Sequence, residues 1–515
     1  MSRNRDLDAA LKYHNGTKHS YLSLRAHPHL LDWQNKPLLF KIYPTLEVMR
    51  LPRDLRQTGV SALSAITSGS AKVKGKAIPD LDALAQLLFL SAGVTKSKKY
   101  PGGEVFFRAA ACTGALYEIE LYIVCAELPG LAAGVYHFGA AEFGLRLLRG
   151  GDYRDVVTRA SGEDKTVARA PVIVICTGVY WRNAWKYRSR TYRHFGWDNG
   201  TILANMLAVG TSMGLPTRVI TGFADSEINR LLDIDTSEEV AFSMVALGKM
   251  SGKVPVSEKH LEPLRLSTVP YSKDEVDYPA MRQMHTASSL SLDEVAAWRE
   301  GSPFQKSPRP NAGLERPLSP ISEKSRSTDT IEQVIQRRGS TRHFSRDSIS
   351  LQQLSTILES STRGIPADFL EPYGALLNDL YLIVNNVDGL PAGAYFFSPK
   401  KQKLELLKAG NFRQEAGYLG LEQQLPADAA VDIFFLADLG SILSRFGNRG
   451  YRIAQLEAGI IGGKLYLSAY AQGLGATGLT FYDDDVINFF SPEARGKSAI
   501  FLVAIGKSLR SQGLV

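Results

Sequence analysis

Hydrophobic positions along the chain fall into runs of two kinds, and each kind occurs twice. Short unbroken apolar runs, PVIVICTG at 171–178 and AVDIFFLAD at 430–438, have the length and β-branched content of strands buried on both faces. Each is followed by a longer stretch, GTILANMLAVGTSMG from 200 and GIIGGKLYLSAYAQG from 459, apolar almost all round a helix. Such a helix belongs in a core or an interface, and two in equivalent places invite packing on each other.

The doubling extends well beyond these runs. GALYEIELYIVCAELPGLAAGVYHF at 114–138 is matched by GALLNDLYLIVNNVDGLPAGAYFF at 374–397. Tyr122 and Tyr381, Gly134 and Gly393, Arg190 and Arg449, Tyr192 and Tyr451, Arg193 and Arg452, Leu215 and Leu474, and Asn229 and Asn488 all stand 259 residues apart. One register held over so long a stretch is a duplication. The pattern predicts an α+β fold of two fused lobes, each an antiparallel or mixed sheet flanked by helices, forming an intramolecular pseudo-dimer about a pseudo-twofold axis.

The boundaries follow from composition. Lobes are expected at 1–250 and 329–515, joined by a linker at 251–328 rich in Pro, Ser and charge. Ser291 and Glu294 form a capping box that opens a short helix in the linker, 301–328 reads as loose, and Asp329 reads as the N-cap of TIEQVIQRR.

Composition narrows the class. With 515 residues, 44% hydrophobic and 22% charged, the chain is neither a single small module nor a disordered or coiled-coil protein. The three cysteines, Cys112, Cys125 and Cys176, are odd in number and match no zinc spacing, which argues against a disulfide framework or a structural metal and for a reducing compartment. The first residues lack a signal-peptide core, and apolar stretches such as Leu81 to Val94, interrupted by Asp82 and Gln86, are shorter than the roughly 18 to 20 residues that cross a bilayer. A soluble, cytoplasmic protein is expected, acting as a monomer. The net charge of +8 permits an anionic ligand and is too diffuse for a nucleic-acid signature.

Several motifs compete as chemistry. Gly473-Leu-Gly475-Ala-Thr-Gly478 fits the dinucleotide pattern, but it ends a helix and leads into a strand, so it reads as a C-cap and turn. Arg337-Arg338-Gly339-Ser340-Thr341-Arg342-His343-Phe344 gathers guanidinium and hydroxyl donors round a glycine turn, as a phosphate requires, or else is a basic helix C-terminus. Gly16-Thr17-Lys18-His19-Ser20-Tyr21 lines up with Gly339–Phe344 by residue type and tips the choice toward phosphate. YWRNAWKYRSRTYRHFGW at 180–197 interleaves aromatics with cations, which suits a stacking platform for single-stranded nucleic acid or a packed interface. His27-Pro-His29 is an isolated pair without carboxylates, so no metal site is expected, and Cys112 reads as a packing residue.

RRGSTRHF resembles the phosphate-binding segment of the FMN-dependent nitroreductase superfamily. YHNGTKHSYLSLR, LDWQNKPLLFKIYP, ACTGALYEIELY, AWKYRSRTYR and GLPTRVITGF make the first copy similar to its SagB-type dehydrogenase branch, over most of residues 11–250, and EVDYPAMRQMH carries the likeness past 270. The second copy, about 329–510, resembles a plainer lobe of the same superfamily.

The resemblance implies two nitroreductase-like lobes with FMN at their interface. Thr17 and His19 would contact phosphate and ribityl in one site, and Arg338, Ser340 and Arg342 in the other. Cys112, Thr113 and Gly114 match the loop reaching the partner lobe's flavin, while Thr221 and Gly222 match the loop beside the isoalloxazine ring, replaced by Thr480-Phe481 in the second copy. Lys186 and Tyr187 fall on the Lys-Tyr pair implicated in oxidising azolines to azoles, with the ammonium favouring the phenolate as a base. Their counterparts are Arg445 and Phe446, so the two sites would not be equivalent. The implied activity is an FMN-dependent oxidoreductase abstracting a proton and passing hydride to FMN, with a small-molecule or peptide substrate and NAD(P)H or O₂ as redox partner, and with neither nucleic acid nor membrane as partner. The alternatives are an NAD(P)H-dependent nitroreductase or quinone reductase, and a non-catalytic flavin-binding protein.

Overall fold

The computed structural model describes residues 3–26, 28–68, 75–100, 103–252, 261–306, 313–370 and 376–509. Each lobe is built on a seven-stranded sheet. In the first, Met49–Arg50, Gly144–Gly150, Gly134–Gly139, Ile119–Cys125, Val172–Val179, Glu239–Leu247 and Thr217–Ile220 lie side by side in that order, every neighbour antiparallel. In the second the order is Glu315–Pro317, Lys403–Ala409, Gly393–Ser398, Asn378–Val384, Val431–Ala437, Ser498–Gly506 and Gly475–Leu479, again antiparallel throughout. Glu315–Pro317 thus gives the stretch read as loose an ordered edge strand. The strands starting at Ile119, Gly134, Gly144, Val172 and Glu239 recur 259 residues later. Val172–Val179 and Val431–Ala437 are buried along their whole length, which explains their unbroken apolar sequence.

The two long helices, Thr191–Ser212 and Arg449–Ala471, cross at the molecular centre. A Cβ on Gly200 would lie 2.4 Å from the Gly459 carbonyl carbon, so the backbones touch where neither has a side chain. Both helices start earlier than their apolar stretches, because Arg190 and Arg193 before one and Arg449 and Arg452 before the other are buried with ion-pair partners. Arg190 and Arg193 hold Asp483 of the second lobe at 3.0 and 2.6 Å, while Arg449 and Arg452 hold Asp225 of the first at 2.7 and 2.8 Å. Among the described residues no helix is long and apolar enough to cross a membrane.

The pseudo-twofold corrects one alignment. Asp483 also accepts the His19 backbone N–H at 2.8 Å, and Asp225 accepts that of Leu290 at 3.0 Å. His14 lies 3.3 Å from the Tyr451 hydroxyl, and His285 lies 3.3 Å from that of Tyr192. Residues 14–19 therefore correspond to 285–290, not to the Arg338–Arg342 turn. The helix before that turn, Ile331–Arg337, has Ala62–Thr67 as its counterpart: Ser61 and Thr330 bridge each other, and each caps its own helix. The N-cap is thus Thr330, with Gln333 closing the box, whereas Asp329 pairs with Arg337. The Ser291–Glu294 box forms as expected and opens Leu292–Glu300. Gly473, at φ +73°, ends the second long helix, in line with the reading as a cap and turn.

Candidate active site

A cavity of about 360 Å³ lies between the lobes. The first lobe lines it with Cys112, Thr113, Gly114, Lys186 and Tyr187, and the second with Ser340, Arg342 and the strand edge Gly478–Thr480.

The loop carrying Cys112 to Gly114 is held from below. Asp198, on the first long helix, accepts the Thr113 N–H at 2.8 Å and the Thr113 hydroxyl at 2.8 Å. Gly114 sits at φ +64°, and a Cβ there would come within 2.9 Å of the Tyr187 hydroxyl, so both conformation and space require glycine. The Cys112 thiol lies 3.2 Å from Asp198 and 3.4 Å from Glu118. Burial and these two carboxyl groups push it well above the usual thiol range, so it stays protonated.

Lys186 and Tyr187 end the helix Tyr180–Tyr187. The chain turns at Arg188 with φ +50°, where the second lobe has Gly447 at φ +67°, and this lets two consecutive side chains face one cavity. The charge logic is the reverse of the sequence expectation. Burial, then Asp198, Cys112 and Glu118, raise the Tyr187 phenol and outweigh Arg342, so Tyr187 keeps its proton. Burial, then Arg342 and Lys36, lower the Lys186 ammonium. Of the two, lysine is the one prepared to release a proton. The Tyr187 ring is fixed edge-on against His194, with centroids 4.6 Å apart.

On the opposite wall, Ser340 is 3.5 Å from the Tyr466 hydroxyl, and Arg342 faces the cavity. Arg338 points elsewhere: it donates to the carbonyls of Ala109 at 3.0 Å and Arg108 at 2.9 Å, tying the lobes together just before Cys112. The Ser340 hydroxyl, the Arg342 guanidinium and an apolar wall of Trp197, Tyr466 and Phe501 fit a phosphorylated flat ring, and the volume lies in the roughly 300–1,000 Å³ range of small-molecule sites.

The remaining cofactor candidates lie elsewhere. The Thr17 hydroxyl donates to the Tyr13 carbonyl at 2.9 Å and accepts from Arg193 at 3.0 Å, and burial with Arg190 lowers His19 to about 3, leaving it neutral. These two residues lean on the second lobe's loop at Asp483. Thr221 and Gly222 belong to the first lobe's own loop, and their place is filled. Asp368 of the second lobe accepts the Thr221 N–H at 2.9 Å, the Thr221 hydroxyl at 2.9 Å and the Gly222 N–H at 2.7 Å. Pro366 takes the Val219 N–H at 2.8 Å, and Arg299 donates to the Gly222 carbonyl at 2.9 Å. At Gly222, expected to lie beside a flavin ring, a Cβ would meet Trp298 at 2.8 Å, so the chain itself approaches closely there. The four residues thus stand at two pseudo-equivalent places and form no common site. Of the His27-Pro-His29 pair, His27 lies outside the described residues, and His29 binds the Trp185 carbonyl at 2.8 Å.

Glu118, Asp198, Trp197 and Tyr466 were missed by sequence reasoning. Glu118 had one usable signal: it stands where the repeat has Leu377.

The nitroreductase family profile matches residues 82–249 and again 335–507. A protein of Methanocaldococcus jannaschii named as a nitroreductase, MJ1384, is 26% identical over 151 residues, spanning 29% of this chain and 73% of its own. The crystal structure of a protein of Anabaena variabilis, also named as a nitroreductase, superposes with a TM-score of 0.78 at 25% identity, over 97% of this chain and 99% of that one. The Escherichia coli microcin synthetase McbBCD complex with truncated pro-MccB17 bound reaches a TM-score of 0.31 at 19% identity, over 48% of this chain and 93% of the matched one, too little to carry any argument about substrate. Matched by one family profile in each lobe, over strands and helices that repeat 259 residues apart, the chain belongs to the nitroreductase family.

Proposed function

We propose that the chain is an FMN-dependent dehydrogenase of SagB type with one working site, the cavity between the lobes. The observation that carries this reading is the composition of that cavity: Ser340 and Arg342 from one lobe face Lys186, Tyr187 and the Cys112–Gly114 loop from the other. Arg342 and Ser340 would hold the FMN phosphate, with Arg338 keeping the two lobes in register behind it. When bound, FMN supplies the hydride acceptor.

The chain's own residues supply the acid–base chemistry. Lys186, its ammonium lowered, takes the substrate proton, and Tyr187 remains a hydroxyl donor that orients the substrate. An azoline ring losing a hydride and a proton to become an azole is the reaction this arrangement suits, in a small molecule or a peptide. The pseudo-equivalent place, closed by Asp368 and Arg299 and carrying Arg445 and Phe446, is a structural half.

Acid extraction should release FMN at one equivalent per chain, and the yellow protein should be bleached anaerobically by an azoline substrate. A second reading, an NAD(P)H-dependent nitroreductase, is favoured by the names of the similar proteins from M. jannaschii and A. variabilis. Bleaching by NADPH alone, with no response to azolines, decides for it.

A further inference from the structure

Under the cavity, Glu118 and Asp198 face each other beside the Cys112 thiol. Glu118 directly precedes strand Ile119–Cys125, Asp198 sits on the first long helix, and both are buried. A carboxyl oxygen of each and the Cys112 sulfur all lie within 4.8 Å of one another. Two carboxyl groups this close and this buried cannot both ionise without strong repulsion, so one of them keeps a proton. Asp198 already accepts the Thr113 N–H and hydroxyl, and Glu118 has one oxygen, Oε1, buried without a partner.

The other half of the molecule is an internal control. At the positions 259 residues on, Asp198 is matched by Glu457 and Glu118 by Leu377. Glu457 accepts the Leu377 N–H, the Asn378 N–H and the Asn378 amide at 2.9, 2.8 and 2.9 Å. One carboxylate is therefore enough to brace this loop. The second carboxyl occurs only in the half that has the open cavity.

We propose that Glu118 and Asp198 share one proton as a carboxyl dyad that sets the charge beneath the cavity and keeps Tyr187 in its hydroxyl form. The proposal rests on the cavity being the redox site. Burial and the Asp198 charge push Glu118 well above the ordinary carboxyl range, and Asp198 is raised as well. The other charged or titratable groups facing the dyad are Cys112 and Tyr117 on its own loop, Tyr187 and Lys186 from the neighbouring helix, and Arg108, Arg338 and Arg342. Arg108 and Arg338 are engaged with backbone carbonyls, and Arg342 stands on the far wall of the cavity. Loss of the shared proton places a second negative charge under the ring site and opposes any anionic ligand there.

Glu118→Gln is the neutral isostere of the protonated acid, and Glu118 acts here as a positioning residue. Infrared difference spectra of the full chain between pH 6 and pH 9 should show a protonated carboxyl band that ¹³C-glutamate or aspartate labelling shifts and Glu118→Gln removes. FMN affinity, read by fluorescence quenching, should fall at least about tenfold with alkaline pH in the wild type and stay level in the variant. No such band in the wild type, an unchanged alkaline fall in Glu118→Gln, or a stoichiometric divalent ion at Cys112, Glu118 and Asp198 overturns the dyad. Failure of both proteins to bind FMN instead overturns the cofactor assignment, and the infrared band still decides the dyad.

Discussion

Asp225 and Asp483 occupy pseudo-equivalent positions, each gripped by two buried arginines reaching across from the other lobe. Removing one partner of such a group leaves uncompensated buried charge, which costs about 3–5 kcal/mol. Asp483→Asn or Asp225→Asn should lower the melting temperature by several degrees and loosen the two lobes together, measured by calorimetry.

The same pairs set the acid limit. Burial opposes ionisation of Asp225, but Arg449 and Arg452 outweigh it and hold its carboxyl at about 2, below its ordinary range. A depressed folded value means stability is present above the unfolded value near 3.9 and is lost as pH falls from there toward 2. The unfolding free energy should decline through that window, and Asp225→Asn should flatten the decline.

Gly200→Ala tests the helix crossing by its sign. In an exposed helix the change stabilises by roughly 1 kcal/mol. Here the new Cβ would fall 2.4 Å from the Gly459 backbone, so chemical denaturation should show destabilisation of about 1–3 kcal/mol or more.

Lys186→Arg keeps the charge and removes the exchangeable proton, since arginine does not deprotonate in proteins. Dehydrogenation should fall by about 10² to 10⁴ with FMN content unchanged. Tyr187→Phe should raise KM and lower kcat without moving the acid limb of the pH profile, because that limb belongs to Lys186.

Arg342→Ala should cost at least about tenfold in FMN affinity, while His19→Ala leaves stoichiometry and turnover near wild type. Cofactor loss in His19→Ala with retention in Arg342→Ala would take the phosphate away from Arg342.

The 259-residue period was legible because the body of each lobe, from Ile119 to Leu247 and from Asn378 to Gly506, repeats with almost no gap. The arm at 14–19 repeats at 285–290, twelve positions out of that register, and so was matched by residue type to Gly339–Phe344 instead. The grouping of Ser340 and Arg342 with Cys112–Gly114, Lys186 and Tyr187 came from the family resemblance, in which a loop of one lobe reaches the flavin of the other, and from no local pattern. Closure of the other half was not legible, because Asp368 and Arg299 meet Thr221 and Gly222 only through the fold, and no local pattern marks a carboxylate that will cap a distant loop. The reversed proton logic at Tyr187 was equally hidden: adjacent Lys186 was visible, whereas the burial of the phenol and the nearby Asp198, 11 positions away in the sequence, come only with the fold.

The capping of Thr221 and Gly222 by Asp368 has a consequence for how such a protein changes over time. In a homodimer every substitution appears in both sites at once, so a residue good for one role and bad for another is selected on the average. Joining the two copies in one gene lifts that constraint. One junction between the copies can then pack shut, as Asp368 and Trp298 do at Thr221 and Gly222, while the other takes on acids and bases that need occur only once.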